Sequence, residues 1–151
     1  MINPFELTAT DAIKLIGNNK LSRYEWVQSC FERIREKEGL VKAWIYLDED
    51  RALEKAKQLD NENNESQLGI PFGIKDIIDA SNTPTGFGTN FYQNNVPMRD
   101  AASVSVAKQS GCIFIGKTVS TELGHRAPGL TTNPHNKDCL LYTSPSPRDR
   151  H

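Results

Sequence analysis

Apolar residues recur at helical spacing through the first third of the chain. Thr8 opens a predicted helix, with Asp11 three residues on and Ala12, Leu15 and Ile16 turned inward. Gly17-Asn18-Asn19 closes it. Ser22 and Glu25 stand at capping-box spacing, and Trp26, Val27, Cys30, Phe31 and Ile34 then form a stripe of 3.6-residue period. That stripe predicts a core-facing helix running to about Glu38, with Gly39 as its stop. Ala43-Trp44-Ile45-Tyr46-Leu47 reads as a strand. Leu53, Ala56 and Leu59, flanked by Lys and Glu, mark a third helix. The polar run Asn61-Glu62-Asn63-Asn64-Glu65-Ser66 follows as a surface loop.

The rhythm changes at Gly69. Ile70, Phe72 and Ile74 alternate onto one face of a short buried strand, and Pro71, Gly73 and Lys75 share the other. Asp100 is the expected N-cap of a helix from Ala101 to Gln109, and Gly111 its stop. Cys112-Ile113-Phe114-Ile115 is a continuous apolar run, the mark of a strand covered on both faces. Strand, helix and strand of these lengths predict a right-handed parallel crossover. The loop between, Ser81 to Arg99, is rich in Gly, Pro, Thr and Asn and is long enough to form a functional surface. The fold class expected is α/β: N-terminal helices, then the start of a mixed, partly parallel sheet with helical crossovers.

Lys75 is the residue whose chemistry changes this picture. Gly73 leaves the face beside it nearly empty, so an ammonium there would have room and little water. Desolvation disfavours the charged form and would free a neutral amine to act as a base. The plainer reading is a strand-end lysine that snorkels to solvent beside Asp76 and Asp79. Residue pattern alone favours the plainer one.

Other motifs carry less. Gly111 to Thr118 satisfies the Walker A pattern letter for letter. A P-loop needs a strand before its first glycine and a flexible cradle between the glycines. Here a helix precedes Gly111 and the intervening residues are bulky and apolar, so nucleotide binding is rejected. Lys117 is read as ending its strand in solvent or in an ion pair, with only a mild effect on truncation. Glu122 is read as a structural carboxylate at a helix start. Ser103, Ser105 and Ser110 lie on or at the end of the Ala101–Gln109 helix, and no Gly-x-Ser-x-Gly elbow exists. Cys30 and Cys112 read as inert core thiols in a reducing compartment. His125, His135 and His151 stand apart, without metal-ligand spacing. No metal and no cofactor is expected.

Composition sets outer bounds. The formal net charge of −1 over 151 residues gives no electrostatic footprint for nucleic acid or anionic membrane. Hydrophobic residues make up 37% of the chain, enough for a thin core. No apolar run reaches the length of a membrane span, and Met1 to Glu6 lacks the features of a signal peptide. A cytoplasmic protein is expected, with a homo-oligomer left open.

Three blocks together resemble the amidase signature family. The first is Gly69-Ile70-Pro71-Phe72-Gly73-Ile74-Lys75-Asp76. The second runs from Asp100-Ala101-Ala102, with Val104 and Val106, through Gly111–Thr118 to Glu122. The third is Pro128 to Asn136. They come in the family's order and at family-like spacing. The resemblance implies a Ser-Ser-Lys amidohydrolase in which Lys75 is the catalytic lysine and the substrate a small-molecule amide. It also implies a Gly- and Ser-rich stretch after the Asn-Pro block, carrying the bridging serine, and a nearby nucleophilic serine. Neither follows here, so this chain is expected to be inactive by itself. The residues from Cys139 onward resemble translated sequencing-adapter sequence; a genuine Pro- and Ser-rich tail is the other reading. The expected organisation is 1–138 as the N-terminal part of one amidase domain, helical over 1–66 and α/β over 67–138, with 139–151 a non-native tail. Val119 stands where the amidase-like component of the tRNA-dependent amidotransferases typically has Asn. That favours a free-standing amidase over the corresponding component of a glutamyl/aspartyl-tRNA amidotransferase. A non-enzymatic binding or structural fragment is the alternative from a different class.

Overall fold

The computed structural model describes residues 3–62 and 67–135. The elements in chain order are α1 (Ala9–Gly17), α2 (Arg23–Val41), β1 (Trp44–Leu47), α3 (Glu49–Glu62), β2 (Pro71–Lys75), α4 (Ala102–Gln109) and β3 (Ile113–Thr118). Short 3-10 turns at Pro4–Glu6, Asn90–Tyr92 and Glu122–Gly124 link them. The proposed adapter-derived tail, 139–151, lies outside the described residues.

Caps place the first two helices where the sequence predicts them. The Thr8 hydroxyl accepts from the Asp11 N–H, and Asn19 leaves α1 at φ 53°. Ser22 and Glu25 form a reciprocal capping box at the start of α2. The other end of α2 differs from expectation. The helix runs through Gly39 to Val41, and Lys42 caps it in the left-handed region at φ 53°. Glycine weakens a helix interior without breaking it. The stop is made instead by chain elsewhere, which satisfies the orphan carbonyls of the last turn. The Thr132 N–H donates to Val41 O, and the Thr132 and Thr131 hydroxyls donate to Leu40 O and Lys42 O.

The sheet has order β1-β3-β2. β2 runs parallel to β3, as a helical crossover requires, and β1 runs antiparallel to it. The register slips between Phe72, opposite Phe114, and Gly73, opposite Gly116, so Ile115 is an extra residue in β3. Ile113 and Ile115 pack into the main core with Val27 and Phe31 of α2 and Ala52, Ala56 and Leu59 of α3. The strand predicted from Cys112 begins one residue later, at Ile113.

The helix between the parallel strands also starts one residue late. Ala101, not Asp100, is the N-cap residue of α4. The Asp100 carboxylate is engaged elsewhere, accepting from the Ser81 N–H at 2.7 Å and from Lys108 Nζ at 2.8 Å. Burial pushes the Asp100 carboxyl up, but those hydrogen bonds outweigh it and hold it below its ordinary value. Asp100 thus ties the start of the 81–99 loop to the far end of α4.

Candidate active site at the end of the parallel strand pair

β2 and β3 end side by side, with Lys75 opposite Thr118. Strand alternation puts Gly73, Lys75, Gly116 and Thr118 on one face, and Ile74 and Lys117 on the other. The two lysines singled out in the sequence therefore point to opposite sides of the sheet.

On the Lys75 face, two glycines lie in register for a reason. A Cβ on Gly73 would fall 2.5 Å from the Trp44 ring, and one on Gly116 would fall 2.3 Å from Tyr46 O and 3.0 Å from the Trp44 ring. The glycine pair makes a flat seat on which the indole of β1 rests. This corrects the expectation of an empty face beside the lysine, because Trp44 fills the space that Gly73 leaves. It also corrects the expectation of a buried strand end. Gly73 and Lys75 are both exposed, and among the described residues no hydrogen bond or ion pair engages the Lys75 ammonium.

The opposite face holds what pattern reading missed. The chain turns sharply after β2, with the Ile78 N–H donating to Lys75 O at 3.0 Å and the Asp76 N–H to Thr118 O at 3.0 Å. Asp76 is 1% exposed. Its carboxylate accepts from the N–H groups of Gly86, at 3.0 Å, and Gly88, at 3.3 Å, while its own carbonyl accepts from the Phe87 N–H at 2.9 Å. Three successive amides of one loop thus close around one residue. Gly88 is required there, since its φ is 66° and a Cβ would meet the carbonyls of Ser120 and Thr121 at 2.7 Å.

Lys117 enters the same knot from β3 and is completely buried. Its Nζ donates to Ile78 O and to Thr85 Oγ1 and lies 3.9 Å from Asp76 Oδ1. The expected ion pair is present, but the solvent-facing position is not. Burial pushes the Lys117 ammonium below its ordinary value, and the carboxylates of Asp76 and Asp79 pull it back up. The sequence did hold a signal for this residue. A lysine inside an apolar strand run is as anomalous at 117 as at 75. Helix α4 does precede Gly111, and residues 113–118 are strand, paired with β2 from Ile113 and with β1 over 116–118, which suits a sheet rather than a phosphate cradle.

Beside the knot opens a cleft of about 850 Å³, whose walls include Trp44, Tyr46, Asp76, Val119, Ser120 and Leu130. An open cleft with apolar walls and a buried carboxylate at its base suits a small, largely apolar organic group. Among the described residues the two thiols, Cys30 and Cys112, supply no ready nucleophile. Burial raises Cys30 to about 11 and raises Cys112 as well. Among the described residues, no three His, Cys, Asp or Glu side chains converge as a metal site. No described helix is long and apolar enough to cross a membrane.

Comparisons with known proteins take in this region as part of a match to most of the chain. A family model described as Amidase matches residues 25–140. The A subunit of glutamyl-tRNA(Gln) amidotransferase from Endomicrobium trichonymphae is 33% identical over 141 residues, covering 86% of this chain and 29% of that protein. The protein of the same name from Desulforudis audaxviator is 35% identical over 141 residues, with the same coverage. Among solved structures, a peptide amidase from Stenotrophomonas maltophilia superposes with a TM-score of 0.79 at 25% identity, covering 90% of this chain and 32% of that one. A fatty acid amide hydrolase shares the fold, with a TM-score of 0.78 at 22% identity, over 91% of this chain and 27% of the other. The chain thus spans about three-tenths of the length of the relatives it matches.

Proposed function

Since the chain belongs to the Amidase family, we propose that it contributes the base-bearing part of a free-standing amidohydrolase that cleaves carboxamide C–N bonds, with Lys75 as the base. The observation that carries this reading is the position of Lys75. It is the last residue of β2, where a parallel strand pair ends, inside the segment the family model matches. Binding groups collect at the carboxyl ends of parallel strands, because successive loops converge there.

The chemistry runs through a serine pair supplied from sequence C-terminal to the 151 residues. The neutral Lys75 amine takes a proton from the bridging serine. That serine takes the proton of the nucleophilic serine, whose oxygen attacks the amide carbonyl. Backbone N–H groups hold the resulting oxyanion. The proton on Lys75 then returns through the bridging serine to the leaving nitrogen, the C–N bond breaks, and water releases the acyl group.

Ammonia or amine release from simple aliphatic and aromatic carboxamides by the full-length gene product, without tRNA or added subunits, tests this directly. Turnover supports the free-standing enzyme. A second reading is favoured by the names of the relatives at 33–35% identity: one component of an amidotransferase that works in concert with tRNA. Activity that appears only when charged tRNA and partner subunits are added would select it. No activity under either condition would leave a binding or structural role and overturn the proposal.

A further inference from the structure

We infer that Lys117 and Asp76 are positioning residues for Lys75: they lock the turn at the end of β2 from beneath, and so fix the point from which the lysine side chain reaches the reacting atoms. The inference rests on the reading of Lys75 as the base.

The argument starts from what holds Lys75. Its side chain is exposed and makes no polar contact among the described residues, so only its backbone sets its origin. That backbone is part of a four-residue turn. Lys75 O accepts from Ile78 N–H, and the next peptide, through the Asp76 N–H, is held on Thr118 O. Lys117 reaches this turn from the other face and binds it at two points. Its Nζ donates to Ile78 O and faces the Asp76 carboxylate at 3.9 Å. Asp76 is held in turn by the amides of Gly86 and Gly88, and Thr85 completes the shell of Lys117.

A completely buried lysine is a poor means of holding a fold together. Removing two charges from water costs about as much as their attraction returns, and a pair of apolar residues would pack as well. What the pair provides that apolar packing does not is direction: charge-assisted hydrogen bonds fix a turn to a narrow set of geometries. Direction matters for a general base. A misplacement of ~1 Å costs on the order of 10²-fold in rate.

The test uses the full-length gene product and the variants Lys117→Met, Asp76→Asn, the two combined, and Lys75→Ala. Each single variant leaves one buried charge unpartnered, and the combination removes both. For the single variants, kcat is expected to fall ~10–100-fold with KM within about twofold. In the combined variant the thermal midpoint is expected to recover toward wild type while kcat stays low. Recovery of kcat together with the midpoint would show that the pair only holds the fold, and would overturn the inference. Where a Lys117 variant does not fold, Thr85→Val decides. It removes one hydrogen bond to Nζ without adding a charge, and a kcat loss of roughly fivefold at unchanged KM is expected, unchanged kcat being the contrary result. If Lys75→Ala is inert while the Lys117 and Asp76 variants match wild type, positioning fails and the base assignment stands. If Lys75→Ala keeps full activity, the base assignment fails and the inference with it.

Discussion

Lys75 and Lys117 differ by one position in strand phase, and that single step separates an exposed side chain from a completely buried one. Periodicity places each on its face. It cannot show that Asp76 and Thr85, far from Lys117 in sequence, meet it below the sheet. This is why Lys117 is legible as an anomaly and illegible as a buried group. The mild effect expected on truncation is replaced accordingly. Lys117→Ala strands the Asp76 carboxylate in a buried site, and a loss of roughly 3–5 kcal/mol in a urea unfolding series is expected. Loss within ~0.5 kcal/mol, the range of ordinary surface substitutions, would show that the pair does not hold the turn. Cys30 gives a pH signature at the same scale. Its thiol rises to about 11 in the fold from 9.0. Between those values the folded state keeps a proton that the unfolded chain has lost, so stability falls as pH rises through this window. The difference between wild-type and Cys30→Val urea midpoints isolates that slope from the opposing one at Lys117. A parallel pair of curves across that window would contradict the assignment.

The elements are most legible where a local signal decides. Thr8 with Asp11 and Ser22 with Glu25 mark their helix starts within a few residues of sequence, and both caps form. The end of α2 escapes the sequence because its stop is not local. Thr131 and Thr132 lie some ninety residues away and hold the last carbonyls, so Gly39 sits inside the helix instead of ending it. A direct consequence follows for Gly39. A Cβ there meets no atom within 4 Å. Gly39→Ala is therefore expected to stabilise the protein by ~0.5–1 kcal/mol, read as a higher thermal or urea midpoint. A lower midpoint would return Gly39 to the role of helix stop. Asp100 fails as an N-cap for a similar reason: Ser81 and Lys108, brought close by the fold, compete for its carboxylate.

At the scale of the whole molecule, the parallel pairing of β2 with β3 is legible because strand, helix and strand lengths leave few alternatives. The seating of Trp44 on Gly73 and Gly116 is not, because it depends on which strands become neighbours. That seat joins the N-terminal helical region to the motif-bearing region through β1. Gly116→Ala is expected to lower the thermal midpoint clearly, since its Cβ would meet Tyr46 O at 2.3 Å and a backbone atom cannot step aside cheaply. An unchanged midpoint would mean that β1 and β3 pair loosely enough to absorb a methyl group. The central claim concerns Lys75 at the end of β2, where the Amidase family match and the exposed side chain coincide. It is tested most directly by kcat/KM for amide hydrolysis in the full-length gene product carrying Lys75→Ala, set beside near-ultraviolet circular dichroism of the same sample. The account predicts a fall of at least ~10²–10⁴-fold with an unchanged spectrum, because removing an exposed side chain deletes a base and almost no packing. Activity within a few fold of wild type would contradict it.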